Sequence, residues 1–484
     1  MSTPEKSEMQ FIFTNGLGKT EPAKRKLIRK HVMLGKNRGK TRKGMSLGAA
    51  DAWRSEELNG GRDGDPGLLI NMRYSSIPNK IGSDFSFTQF AAAVEPPAVH
   101  DLIRFSFIAK RVMYPLERCI VFHKKTKIDT SWFEFLTIDA AYTHAAVFAS
   151  QAYILLTSGG ENPPAYKRAM IHHSAALRLL RERVSAPEGE SKVSDPTVLV
   201  VLYLALHAHF VGDHDTAKQH MDGLRKIVDI RGGLFAFGYN TKLIMELMKC
   251  DLGIAIHNGT KPEFFNDSFS EPMIPYDLAL LTTQDSRPPR IKFPWNLGQI
   301  GVIADLVQAW EYVMRFCSTI NSAAETKRQL PKETLLNAMA SVMYRLLHMN
   351  NLDITSANEA IRLGLLAFSS HIFLNWQNMK APHTQLPDTY RRCLLNLKSP
   401  GALPSQVLLW LLMIGSVSVF SAVDGVWLLP WMRVNIGLCD TDDWHKLRRE
   451  LKACPWIDVL HDKPGREIFD SAVLSQVAIG TVPV

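Results

Sequence analysis

The residues of this chain whose types and spacing suggest chemistry begin at 15–20, Asn-Gly-Leu-Gly-Lys-Thr, behind the apolar run Phe11-Ile12-Phe13. A glycine loop ending in Gly-Lys-Thr after a strand cradles phosphate through its backbone amides. That loop needs a further glycine five residues before Gly18, and Phe13 stands there. No parallel sheet is expected downstream to hold it, so nucleotide binding is set aside. Asn266-Asp267 with Ser270 supplies half of the acidic helical motif by which terpene cyclases hold magnesium. Its remaining carboxylate would fall at Ile274, Pro272 interrupts the helix, and the one Asp pair, Asp442-Asp443, runs into Trp444, His445 and Lys446. Magnesium needs clustered oxygen ligands, which this pattern does not bring together.

Histidine offers the next chemistry. His172 and His173 are adjacent, and His207 and His209 lie two apart; on a helix the members of each pair face different ways and cannot share a metal. His214 and His220 are assigned hydrogen bonding or solvation. No His-Glu-x-x-His sequence occurs. The six cysteines, at 119, 250, 317, 393, 439 and 454, form no Cys-x-x-Cys pair, and their scatter points to a reducing compartment. The expectation is a chain with no catalytic site, no metal and no cofactor.

The strongest signal is charge. The chain carries 56 basic and 47 acidic side chains, a net charge of +9. Residues 19–43 hold eleven of the basic ones against a single acid, Glu21, leaving 45 basic and 46 acidic elsewhere. The remainder is therefore neutral, and arguments about polyanions concern one arm. Its charges form two clusters, Lys24-Arg25-Lys26 with Arg29 and Lys30, then Lys36, Arg38, Lys40, Arg42 and Lys43. Two basic clusters on an accessible segment suit a nuclear import receptor first and nucleic-acid phosphate second, since no Phe, Tyr or Trp and only one amide side chain, Asn37, is interleaved to read bases.

Behind the arm, 44–97 is rich in glycine and proline with few periodic apolar positions, which predicts a flexible linker. From 98 to 484 the apolar residues recur with helical period, and no strand alternation competes. The fold class expected is all-α: a large multi-helix domain interrupted by an irregular proline-rich connection at 260–297. Helices are expected at 131–157, 165–184 (Met170, Leu177, Leu180 and Val184 on one side), 239–257, 298–322, 332–349, 356–376, 387–398 and 404–423, with a last one starting at Asp442 or Asp443. The segment 403–423 has the length of a membrane span, but Pro404, Gln406, Gly415, Ser416, Ser418 and Ser421 assign it to a buried core.

The domain is organised around residues 195–234. Ser194-Asp195-Pro196 starts one helix, the nearly wholly apolar 198–206 buries it, and Gly212-Asp213-His214-Asp215 turns the chain. Ala217, Met221, Leu224 and Val228 then mark one face of a second helix, which stops at Arg231-Gly232-Gly233.

In order along the chain, these features resemble a known family. Phe11-Ile12-Phe13 with Thr14, Lys26-Leu27-Ile28-Arg29-Lys30-His31-Val32-Met33 and Lys36-Asn37-Arg38 resemble the N-terminal segment of many fungal transcription-factor-like proteins. Trp132-Phe133, Asp139-Ala140, His144 and the Asp195-Pro196 helix start fit the same family. Ala217, His220, Gly223-Leu224 and Arg231-Gly232-Gly233 look like its regulatory-domain signature. Leu403-Pro404, Leu408-Leu409-Trp410-Leu411-Leu412, Gly415 and Trp456-Ile457-Asp458 are similar to its C-terminal part. The resemblance implies the all-helical regulatory domain of fungal zinc-cluster transcription factors, nuclear action on gene expression, and service to a metabolic gene cluster. A zinc cluster packs six cysteines into about thirty residues, and none precedes Cys119, so that DNA-reading module is absent.

The function expected is a nuclear transcriptional regulator or co-regulator without enzymatic activity. It would meet DNA weakly through the arm or through a DNA-bound transcription factor, with no membrane partner and with homo- or heterodimerisation open. The alternative is a non-catalytic helical scaffold working outside the nucleus.

Overall fold

The computed structural model describes residues 89–113, 115–120, 131–157, 163–187, 189–238, 241–266, 271–281, 297–349, 351–374, 385–397, 403–441 and 443–474. The basic arm and nearly all of the linker lie outside them. Regular structure among the described residues is helical, as the periodicity demands: α1 Pro96–Met113, α2 Pro115–Cys119, α3 Ser131–Ile138, α4 Ala140–Thr157, α5 Pro163–Ser185, α6 Asp195–Phe210, α7 His214–Ile230, α8 Thr241–Asn258, α9 Ala304–Thr326, α10 Lys332–His348, α11 Ala357–Phe373, α12 Gln385–Leu395, α13 Ser405–Ser418, α14 Gly425–Leu438, α15 Trp444–Leu451 and α16 Asp458–Leu474. The first helix starts inside the segment given to the linker.

Local chemistry explains most differences from expectation. The single helix expected at 131–157 is two, because the Asp139 carboxylate accepts from the Tyr142 amide at 2.8 Å and caps a new helix there. α5 buries Ala165, Ala169, His172, Ala176 and Leu180, whereas Val184 is exposed. Small alanines on that face let α4 lie close along it, since α4 packs against both α5 and α6. α13 stops at Ser418, five residues short of the expected 423; Ser421 and Asp424 then form a capping box for a short 3-10 turn. α13 is an interior helix, buried from Val407 through Gly415. No helix of the described residues is long and apolar enough to cross a membrane.

The helices of the C-terminal half close around α13. Gly364 marks where α11 crosses it: a Cβ there would sit 2.5 Å from Leu411 Cδ2 and 3.0 Å from the Trp410 ring. Trp410 is fully buried against Trp310 at 4.7 Å between ring centroids, and its Nε1 donates to the Pro455 carbonyl at 2.8 Å.

Two helices escape the periodicity. α14 is apolar apart from Arg433 and Asn435, and α16 contains Pro464 and Gly465. The described parts of 260–297 carry no α-helix but are fastened to the body. Asp251 on α8 accepts from the Glu263 and Phe264 amides at 2.6 and 3.0 Å, and Arg345 on α10 donates to the Ile274 carbonyl at 2.5 Å.

Candidate functional site

The ten arm residues singled out for import or nucleic-acid contact, Lys24 to Lys43, lie outside the described residues. The signature residues of the α6–α7 hairpin are all described, and the structure brings most of them to one corner. Ser194 caps α6, accepting from the Thr197 amide at 3.4 Å. Asp213 caps α7, accepting from the Thr216 amide at 3.1 Å. Ala217, Met221, Leu224 and Val228 form the buried face of α7, as their spacing requires.

α7 ends in a closed motif. The Gly232 amide donates to the Asp229 carbonyl at 3.0 Å and the Gly233 amide to Val228 at 2.9 Å. Both glycines take positive φ, 94° and 92°, a region that side chains with a Cβ rarely adopt. Arg231 does more than complement the helix end. Its Nη1 donates to Asp195 Oδ1 at 2.7 Å and to the Val193 carbonyl at 3.1 Å, and its guanidinium lies 3.7 Å from the centre of the Phe237 ring. The corner therefore ties the start of α6 to the end of α7 and to the turn that follows. Gly223 lies on a less crowded part of α7, where an added Cβ would meet nothing within 4 Å.

His220 belongs to a second grouping that the sequence did not reveal. Adjacent histidines diverge as expected, but each finds another histidine on a neighbouring helix. His172 on α5 meets His144 on α4, Nδ1 to Nδ1 at 2.8 Å, while its Nε2 faces the Glu95 carboxylate at 3.5 Å. His173 and His207 lie 5.6 Å apart, both against Phe148. His209 on α6 meets His257 on α8, Nε2 to Nδ1 at 3.0 Å, with the His214 ring 5.9 Å from its own.

Burial disfavours the charged form of His144, His173, His207, His209, His220 and His257. It pushes His207 down to about 4, helped by His173. It pushes His209 to about 3, helped by His257 and His214, and His257 to about 4. His144 is lowered by burial, then by His172 and Arg178, against Glu95. His220 is lowered by burial and then by His173, against Asp213. In a neutral pair one nitrogen donates and the other accepts, so the His209–His257 contact joins α6 and α8 without a charge. Among the described residues no group of three or more His, Cys, Asp or Glu side chains is placed to hold a metal ion.

A third buried polar centre sits under 261–266. Asp251 is enclosed, with Tyr344 donating to its Oδ2 at 3.0 Å beside the two amides, and burial pushes its carboxyl up to about 7 against those hydrogen bonds. These three hydrogen bonds tie residues 263 and 264 to α8 and α10. Gly44-Met45-Ser46-Leu47-Gly48 has the Gly-x-Ser-x-Gly spacing of a nucleophile elbow and lies outside the described residues. No family model, no curated protein and no solved structure matches this chain.

Proposed function

We propose that this chain is a non-catalytic transcriptional regulator or co-regulator acting in the nucleus. The arm at 19–43 would serve import and phosphate contact, and the helical body would bind a partner or effector. The observation that carries the reading is the partition of charge: eleven basic side chains against one acid within 25 residues, on a chain whose remainder is balanced to within one charge. The resemblance to fungal zinc-cluster regulators supplies the transcriptional context, and the missing zinc cluster directs sequence reading to a DNA-bound partner. Service to a metabolic gene cluster belongs to the same proposal.

Chromatin occupancy of the tagged full-length chain in its host tests the reading. Discrete peaks upstream of a gene set are expected. Deleting 19–43 is expected to abolish nuclear accumulation, and peaks that survive when import is restored by a grafted signal assign the DNA contact to a partner. Occupancy equal to an untagged control, in a chain found outside the nucleus, overturns the proposal in favour of a scaffold. If the arm itself neutralises six to ten phosphates, affinity for DNA falls by about 10³ to 10⁵ between roughly 50 and 200 mM salt.

A further inference from the structure

Residues 271–281 lie on the body as a bound peptide lies in a groove. Only Leu281 among them is buried, and 271–276 make no backbone–backbone hydrogen bond among the described residues. Side chains of three helices hold the segment instead. Asn337 on α10 is bidentate: its Oδ1 accepts from the Asp277 amide at 3.3 Å, and its Nδ2 donates to the Pro275 carbonyl at 3.2 Å. Arg345, about two turns further along α10, donates to the Ile274 carbonyl, so the segment runs antiparallel to that helix. The same guanidinium lies 4.5 Å from the centre of the Tyr276 ring. From α9 the Thr319 hydroxyl reaches the Leu281 carbonyl at 2.9 Å, and the Tyr312 ring lies 4.7 Å from that of Tyr276 while its hydroxyl donates to Asn337 Oδ1 at 2.6 Å. Arg225 on α7 donates to the Glu271 carboxylate at 2.5 Å.

We propose that this groove on α9 and α10 is a peptide-binding site which 271–281 fills in cis as an exchangeable strap, and that its partner is an extended segment carrying Pro-Phe with an acid five residues before the Phe. Asn337 and Arg345 engage two carbonyls and an amide, groups that every extended chain offers, so a segment of another protein can replace the strap there. The remaining contacts select. A ring is needed against Arg345 and Tyr312, a proline before it keeps the chain extended, and a carboxylate meets Arg225. The resident strap fits this site imperfectly, because the Tyr276 hydroxyl is buried there without a hydrogen-bond partner. That desolvation costs free energy, and a phenylalanine in the same place escapes it. The site belongs to the purified body and goes beyond the nuclear reading, which stands or falls separately.

Fluorescence anisotropy of a labelled peptide with the sequence of 271–281 and the change Tyr276→Phe, titrated with the purified full chain, tests this. In the Y276A chain the strap loses the ring that Arg345 and Tyr312 hold, while the groove keeps all its side chains. Binding at least about tenfold tighter than to wild type is expected, because apparent affinity scales with the fraction of chains whose groove is open. Adding N337D, which keeps the acceptor and loses the donor to the peptide carbonyl, is expected to remove most of that gain. E271Q releases only the Arg225 end; it is expected to act in the same direction and carries the test if Y276A loses helical circular dichroism. No saturable binding to a variant that keeps the wild-type helical signal overturns the proposal. Equal affinity for wild type and both variants overturns it too, since the strap then does not compete, and so does an affinity that N337D leaves unchanged, since the peptide then sits elsewhere.

Discussion

Arg231, the first residue after α7, donates to the carboxylate of Asp195, the first residue of α6, at 2.7 Å, so the two ends of a helical hairpin 36 residues apart in sequence are fastened to each other. Their side chains are 14% and 11% exposed, enough to lower the cost of desolvation and too little for solvent to screen the pair fully. Replacing Arg231 by Met would remove its ion pair with Asp195 and the cation over Phe237. The expected loss is about 2 kcal/mol in urea unfolding, below the roughly 3–5 kcal/mol of a wholly buried pair. A double-mutant cycle with Asp195→Asn should return a coupling of about 1 kcal/mol or more; additivity would mean that the contact carries no energy.

Gly232→Ala isolates a backbone effect. An added Cβ would meet only Ala236 Cβ, at 3.9 Å, so packing has room for it, but φ stays at 94°. The left-handed region costs a residue with a Cβ about 1–2 kcal/mol. A fall in stability of that size is expected, with Gly232→Asn falling less. Equal stability of the alanine variant and wild type would show that the corner relaxes.

The histidine contacts set a pH dependence whose sign follows from their depressed values. An unfolded histidine takes up its proton near pH 6.5, whereas His207 and His257 wait until about 4 and His209 until about 3. Between those limits the unfolded chain binds more protons, so stability falls as pH falls through that window. Asp251, raised to about 7, acts oppositely: the folded chain keeps its proton, so stability from it falls as pH rises from about 4 to 7, and Glu246, also raised by burial, acts in the same sense. The two are separated by substitution. His209→Gln should flatten the decline in melting temperature between pH 6.5 and about 4.5 relative to wild type. An unchanged slope would assign the decline to other groups.

Asp251→Ala removes the acceptor of two backbone amides and of the Tyr344 hydroxyl. Each donor left unpaired costs about 1–3 kcal/mol, so a loss of at least about 3 kcal/mol is expected, with Tyr344→Phe losing about 1. Hydrogen exchange should quicken at the Glu263 and Phe264 amides first in the alanine variant. Uniform exchange across the chain would argue against a local anchor.

The elements legible in the sequence were those whose partners lie one helical turn away. The buried face of α7, the cap Ser194 and the Gly232-Gly233 stop depend on residues within a few positions, and all stand where their spacing places them, whereas Asp213, expected only in the turn, also caps α7. α14 and α16 were not anticipated for an equally local reason: an apolar helix with Pro430 at its middle has no period to detect, and Pro464-Gly465 reads as a break. Asp139 looked like one acid in a long apolar run, yet it starts a new helix and accepts a hydrogen bond from Arg183 of α5 at 2.9 Å.

What the sequence determined by itself was the fold class, the neutral body set against one basic arm, and the start of α6 and the stop of α7, because period, composition and capping are properties of neighbouring residues. The tertiary structure decided which histidine faces which, that Arg231 reaches back to Asp195, and that Asn337 holds the backbone of Pro275 and Asp277. Those are relations between residues as far apart as 144 and 172, or 209 and 257. They exist only once helices apolar on different faces have chosen their neighbours, and that choice is made by the shape and volume of the whole core rather than by any segment within it.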